Sequence, residues 1–162
     1  MLKQKLDAIV DSYKDQILSD IQKWVAVPSV AGEPEENAPF GREVRRALDT
    51  ALETAKGYGF ATRDLDGYCG EVTLCEGRQT LGMLCHLDVV PAGDGWTRDP
   101  WGGEIADGKI FGRGTMDDKG PALAALHAMR AVREAGIPMA DGVKLILGCD
   151  EETGMTDMEY YK

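Results

Sequence analysis

Apolar residues recur at helical spacing over the first 26 positions: Leu2, Leu6, Ile9, Val10, Tyr13, Ile17, Ile21, Trp24 and Val25, with Lys, Asp and Gln between them. The pattern predicts one amphipathic helix over 2–26, ended by Pro28. A polar, proline-containing loop (31–39) follows, then a second stripe of Phe40, Val44, Leu48, Leu52 and Ala55. That stripe predicts a helix from Phe40 to Lys56, with Gly57 and Gly59 terminating it. The period then changes to two. Phe60–Leu65 and Tyr68–Leu74 flank Asp66-Gly67, a hairpin dipeptide. Leu81–Asp88 (L-G-M-L-C-H-L-D) is apolar until its last residues. Such a run predicts a buried central strand flanked on both faces. Glu104–Ala106 and Lys109–Phe111 predict a small hairpin about Asp107-Gly108. A helix is expected from Pro121 to Ala135, stopped by Gly136 and Pro138. Val143–Cys149 reads as a second buried strand, and the last ten residues as the start of a helix.

Strands alternating with helices predict an α/β fold. The chain has 162 residues, enough for one domain with its own core. It contains no repeat or low-complexity tract. A net charge of −10 argues against a nucleic-acid or anionic-membrane partner. No apolar stretch approaches a membrane span. The start, M-L-K-Q-K-L-D-A-I-V-D, has early charge and no apolar h-region, so no secretory signal is expected. Cys69, Cys75, Cys85 and Cys149 form no C-x-x-C pair and lie in apolar or alternating runs. They are expected to be reduced structural thiols in a cytoplasmic protein.

The chemistry collects where the apolar runs stop. His86 and Asp88 leave one strand on the same face, with Leu87 opposite. Glu151 and Glu152 leave another. Asp117 and Asp118 sit in a glycine-flanked loop before a helix. In an open α/β sheet, ligands bind beyond the carboxyl ends of strands, so the three places can share a cleft. Imidazole and carboxylate are good zinc ligands. A carboxylate can bridge two ions, and a glutamate beside them can take a proton from water. Asp88 can fix the tautomer of His86. Each pair alone has a bland reading, as a turn, a helix start or a solvated face; the combination after two apolar strands is what points to a site. His127, in mid-helix, reads as a packed histidine. Cys85 is expected on the face opposite His86, and Trp96 and Trp101 as packing under the glycine-rich loop 91–103.

His86-Leu87-Asp88-Val89-Val90-Pro91, Gly112-Arg113-Gly114-Thr115-Met116-Asp117-Asp118-Lys119-Gly120 and Asp150-Glu151-Glu152-Thr153-Gly154 resemble the three N-terminal motifs of the M20 metallopeptidases. The W-T-R-D-P loop belongs to the same pattern. E-E-T-G-M-T-D-M-E-Y-Y is most similar to the bacterial PepV-type (Xaa-His) dipeptidases. The resemblance implies a three-layer α/β domain, a mixed sheet flanked by helices as in zinc peptidases (the phosphorylase/hydrolase-like fold). It implies metal ligands at His86, Asp117 (bridging) and Glu152, a general base at Glu151, Asp88 behind His86, and a cis peptide at Asp117–Asp118. Asp118 and Lys119 are read as positional. Two Zn2+ ions per intact site are implied, with Mn2+ or Co2+ as alternatives, and a dipeptide or short peptide as substrate. An N-acyl amino acid deacylase, of the desuccinylase or acetylornithine deacetylase kind, carries the same motifs. A non-catalytic fragment is a third reading.

Members of that family are several times longer and supply two more ligands, an acidic residue and a histidine, and a lid domain. Residues 1–162 are therefore expected to be the N-terminal portion of a catalytic domain, truncated and without its lid. On that expectation the isolated chain is weak or inactive and self-associates or is complemented by a C-terminal part. Val143–Cys149 is expected to have an unpaired edge or apolar face.

Overall fold

The computed structural model describes residues 2–162. Its elements are α1 (Leu2–Ser12), α2 (Lys14–Val25), α3 (Arg42–Gly57), β1 (Ala61–Leu65), β2 (Cys69–Cys75), β3 (Thr80–His86), β4 (Glu104–Ala106), β5 (Lys109–Phe111), α4 (Lys119–Glu134), β6 (Gly142–Gly148) and α5 (Thr156–Tyr161). Four strands form a mixed sheet in the order β1-β2-β6-β3, and β4 and β5 form a separate hairpin. β2 runs antiparallel to both its neighbours, β1 and β6, whereas β3 runs parallel to β6. Both hairpin dipeptides turn as their sequence demands. Asp66 and Gly67 have φ of 53° and 79°, and Asp107 and Gly108 have 52° and 71°, the positive pair of a type I′ turn.

One apolar core holds the domain together. Val72, Val143, Leu145 and Leu147 of the sheet meet Val44, Leu48 and Leu52 of α3 and Leu123, Leu126 and Met129 of α4. Each fully buried leucine contributes about 1.5–3 kcal/mol by leaving water. The backbones come close enough to exclude side chains here: a Cβ on Gly70 would lie 2.9 Å from Leu48 and Leu52. The other sheet face carries α5, whose Tyr161 hydroxyl donates to Glu71 at 2.7 Å.

Four expectations need correction. Leu81–Asp88 is not a buried central strand. β3 is the sheet edge, with Leu81 62% and Leu84 53% exposed. An apolar run identifies a strand that covered faces would suit, but does not supply the covering. Val143–Cys149 conversely has no unpaired edge, because β6 sits between β2 and β3. The N-terminal stripe is broken at Tyr13, whose buried ring packs under Arg130 of α4 at 3.7 Å. α1 buries none of its residues, so only the α2 half of that stripe reaches the core. Finally, α4 begins at Lys119, two residues before the expected start near Pro121.

Glu71 shows how the second face is held. It is 6% exposed, with Lys144 Nζ 3.3 Å from its carboxylate beside the Tyr161 hydroxyl. Burial pushes its carboxyl up, but Tyr161 and Lys144 outweigh burial and hold it below the ordinary 4.5. With the folded value depressed, the unfolded chain takes up the proton first. The pairing therefore stabilises the fold above the ordinary value and is lost as pH falls through the folded one. Glu71→Gln is expected to cost about 1–3 kcal/mol at pH 7 and to flatten the acid limb of the stability curve. Denaturant titrations at pH 7 and pH 3 check this; equal losses at both would exclude the carboxylate as the cause.

Candidate active site

The parallel pairing of β3 with β6 builds the site. His86 is in register with Gly148, so both strands leave the sheet at the same end. His86 is the last residue of β3, and Glu151 and Glu152 lie just past β6. The third contributor arrives from the side. α4 packs beneath β3, and the loop before it carries Asp117 and Asp118 to the strand end across a cis peptide. Asp118 Oδ2 accepts the His86 backbone N–H at 3.1 Å, continuing the pairing of the open edge with a side chain. The loop is held from below by Lys119. Its buried ammonium donates to the carbonyls of Trp24 (3.0 Å) and Val27 (2.6 Å) at the end of α2. Gly120 is confined as well, since a Cβ there would lie 2.1 Å from the Thr115 carbonyl oxygen.

Segment 87–89 is pinned from a direction the sequence did not advertise. The buried Ser29 donates its hydroxyl to the Leu87 carbonyl at 2.6 Å and accepts the Val89 N–H at 3.0 Å through its own carbonyl. Asp88, 1% exposed, accepts the Glu152 N–H at 3.0 Å through Oδ2. Its Oδ1 is buried without a hydrogen-bond partner and lies 3.4 Å from His86 Nδ1. Asp88 thus touches two of the three segments that meet at the site.

Around the imidazole the geometry is one-sided. His86 Nδ1 lies 3.0 Å from the Asp88 carbonyl oxygen, and Nε2 lies 3.0 Å from Asp117 Oδ1 and 3.8 Å from Glu151 Oε2. Both ring nitrogens therefore face acceptors. A neutral imidazole has one N–H, so its other nitrogen would oppose an oxygen lone pair. A proton or a metal cation on that nitrogen resolves the conflict. Burial pulls the His86 pKa down, but Asp88 and Asp117 outweigh it and hold it up at about 9. The carboxyl of Glu152 is raised by burial and by the carboxylates of Asp117, Glu151 and Asp88, with His86 opposing. Mutually repelling carboxylates about an imidazole nitrogen fit a divalent cation in donor chemistry and in charge.

Single ligand atoms of His86, Glu151 and Glu152 lie within 4.8 Å of one another. Asp117, expected as the bridging ligand, is outside that tightest group, though it contacts His86. Glu151, expected as the base, is inside it. Asp88 stands behind His86. The other candidates lie elsewhere. His127 is buried between Tyr13 and Tyr58, with Nε2 3.0 Å from Asp20 Oδ2. Cys85 packs toward the core, where burial pushes its thiol up to about 12. The Trp96 indole N–H donates to the Ala92 carbonyl within its own loop at 2.8 Å. Asp150, quoted above only as part of the third motif, and Asp157, passed over in the sequence, are buried at the exit of β6. Their signal was weak: two acids flanking a Thr-Gly turn.

Residues 82–161 match the family "Peptidase family M20/M25/M40". The chain is 41% identical over 150 residues to a Bacillus subtilis (strain 168) protein named "Putative dipeptidase YtjP", covering 91% of this chain and 32% of that one. It is 40% identical over 146 residues to the Staphylococcus aureus (strain COL) protein named "Putative dipeptidase SACOL1801", covering 89% and 31%. Among solved structures it is similar to human carnosine dipeptidase 1, with a TM-score of 0.83 and 28% identity over 99% of this chain and 37% of that one. The fold also matches an M20 family metallo-carboxypeptidase, Sso-CP2 of Sulfolobus solfataricus, at a TM-score of 0.75 and 22% identity, covering 90% and 33%. The chain spans about a third of the length of the curated relatives it matches (32% and 31%). With three sequence motifs brought to one end of the sheet, and relatives and fold in agreement, the chain belongs to peptidase family M20/M25/M40.

Proposed function

We propose that this chain carries part of the active site of a metal-dependent dipeptidase, with His86, Asp117 and Glu152 as metal ligands and Glu151 as general base. The observation that carries the reading is the meeting of His86, Asp117, Glu151 and Glu152 around one imidazole nitrogen. Bound there, a pair of divalent ions (zinc in this reading, with manganese or cobalt as alternatives) supplies Lewis acidity and water with a pKa near about 7.

The chain's own residues do the rest. Asp88 and its carbonyl hold the Nδ1–H of His86, which leaves Nε2 free to donate electrons. Asp117, on the loop that docks at the end of β3, presents its carboxylate to the same nitrogen. Glu151 is half exposed, so its carboxylate can take a proton from the attacking water and return it to the leaving amine. The names of the relatives favour dipeptides over N-acyl amino acids as substrates.

The remaining ligands, an acidic residue and a histidine, come from polypeptide outside this stretch, in the same protein or in a complementing chain. The open edge of β3, beside His86, supports such an addition. Among the described residues no helix is long and apolar enough to cross a membrane. Four free cysteines support a reducing, cytoplasmic setting.

Calorimetric titration of the chain with Zn2+, followed by parallel assays with dipeptides and N-acyl amino acids, tests the reading. Expected are about two ions per chain and dipeptide turnover far below the ordinary enzymatic rate of about 10 per second. Turnover at that ordinary rate would refute the incomplete site. Tight binding of a single ion with no hydrolysis in a longer, ligand-complete protein would mark a binding module instead. Preference for N-acyl amino acids would make it a deacylase.

A further inference from the structure

The glutamates leave β6 through a segment closed by buried carboxylates. Asp150 accepts the N–H (3.0 Å) and hydroxyl (2.7 Å) of Thr156, as well as the Thr153 hydroxyl. Its carbonyl accepts the Gly154 and Met155 N–H groups at 3.0 and 2.7 Å. This makes 150–156 a self-contained turn. What joins the turn to the sheet is Asp157, on α5 and 1% exposed. Its Oδ2 accepts the backbone N–H groups of Cys149 (2.6 Å) and Asp150 (3.1 Å), and its Oδ1 that of Met158 (2.7 Å).

Two of the three donors, Cys149 and Asp150, lie at the strand exit and fix the direction in which the chain leaves β6, one residue before Glu151. The strand makes room for this contact. A Cβ on Gly148 would lie 2.6 Å from Asp157 Oδ2. Asp88 secures the far side of the same segment through the Glu152 N–H.

We propose that Asp157 is a positioning residue that sets the placement of Glu151 and Glu152 by clamping the exit of β6. It touches neither substrate nor ion. The inference rests on the metal-site reading above. An amide with its oxygen in the Oδ2 place would keep both strand-exit donors and lose only that of Met158, so opening the clamp requires removing the carboxylate altogether.

The test is Co2+ binding to the full 162-residue chain, followed by visible absorption and calorimetry well below the melting temperature of each variant. Asp157→Ala is expected to weaken Co2+ binding about 10–100-fold and to change the visible spectrum, as loss of a partner behind the ligands does. Gly148→Ala displaces the carboxylate while keeping its charge. It is expected to act in the same direction, and it decides the matter if Asp157→Ala does not fold. Tyr161→Phe loosens α5 from Glu71 without touching the strand exit and is expected to leave affinity and spectrum unchanged. Wild-type affinity and spectrum in a folded Asp157→Ala or Gly148→Ala variant would overturn the clamp. So would an equal loss in Tyr161→Phe, which would assign the effect to general packing of α5. Failure of the unaltered chain to bind Co2+ would instead remove the metal-site reading, and the clamp with it.

Discussion

Glu151→Gln, in protein that turns over a dipeptide, is expected to lower kcat by about 10²–10⁴-fold while leaving metal affinity within a few-fold. The change keeps the size of the side chain and removes its basicity. It is decisive because the structure places Glu151 in two positions to act. Its Oε2 is 3.8 Å from His86 Nε2, and its carboxylate shares the tight group with His86 and Glu152. If it is the base, catalysis falls and binding stays. If it is a ligand, affinity falls with catalysis, and Asp117 loses the bridging role the motif implies. Glu152→Gln is the contrasting change, expected to weaken metal binding directly. Measuring kcat and metal Kd for both variants separates the roles, and full activity in Glu151→Gln would remove Glu151 from the chemistry altogether.

The second large effect is expected at Lys119. Lys119→Met keeps most of the buried volume and deletes the amino group, removing one donor from each of the Trp24 and Val27 carbonyls and leaving them only the backbone N–H groups of Val27 (3.2 Å) and Ser29 (2.9 Å). Each lost hydrogen bond contributes about 0.5–1.5 kcal/mol net, so a loss of about 1–3 kcal/mol is expected, a sizeable share of the stability of an ordinary domain. Lys119→Ala adds a cavity and should be worse. The damage should not stop at stability. The aliphatic part of Lys119 underlies Gly114, where a Cβ would lie 3.1 Å from its chain. The loop bearing Asp117 rests on this support, so weaker metal binding is expected alongside the lower melting temperature. Thermal melts with and without Zn2+ check both; unchanged stability would show that the two carbonyls find other donors.

The elements read from periodicity were largely those that formed. The Asp66-Gly67 and Asp107-Gly108 hairpins, α3, and the strand ending at His86 were legible because turn chemistry and alternation are local properties. The motif residues were legible as well, because each pair follows directly on an apolar strand or precedes a helix. Several things were not. Nothing between Leu81 and Cys85 distinguishes an edge strand from a central one, since the same apolar run suits either. Nothing in Leu2–Ser12 tells that its stripe stays outside the core. Ser29, Lys119 and Asp157 act on backbone groups 58, 92 and 8 residues away, and a side chain's partner at such distances leaves no trace in spacing.

By itself, then, the order of residues determined which segments are helical or extended, where the ionisable groups leave them, and to which family the chain belongs. These follow from local sterics, from hydrophobic period and from motif order. Only the tertiary structure decided that β3 runs parallel to β6 at an edge, so that His86 meets Glu151 and Glu152. It also decided that Asp88, Lys119 and Asp157 are the buried groups holding them there. Pairing partners and burial depend on the packing of the whole chain, which fixes which distant backbone donors and acceptors must be satisfied away from water.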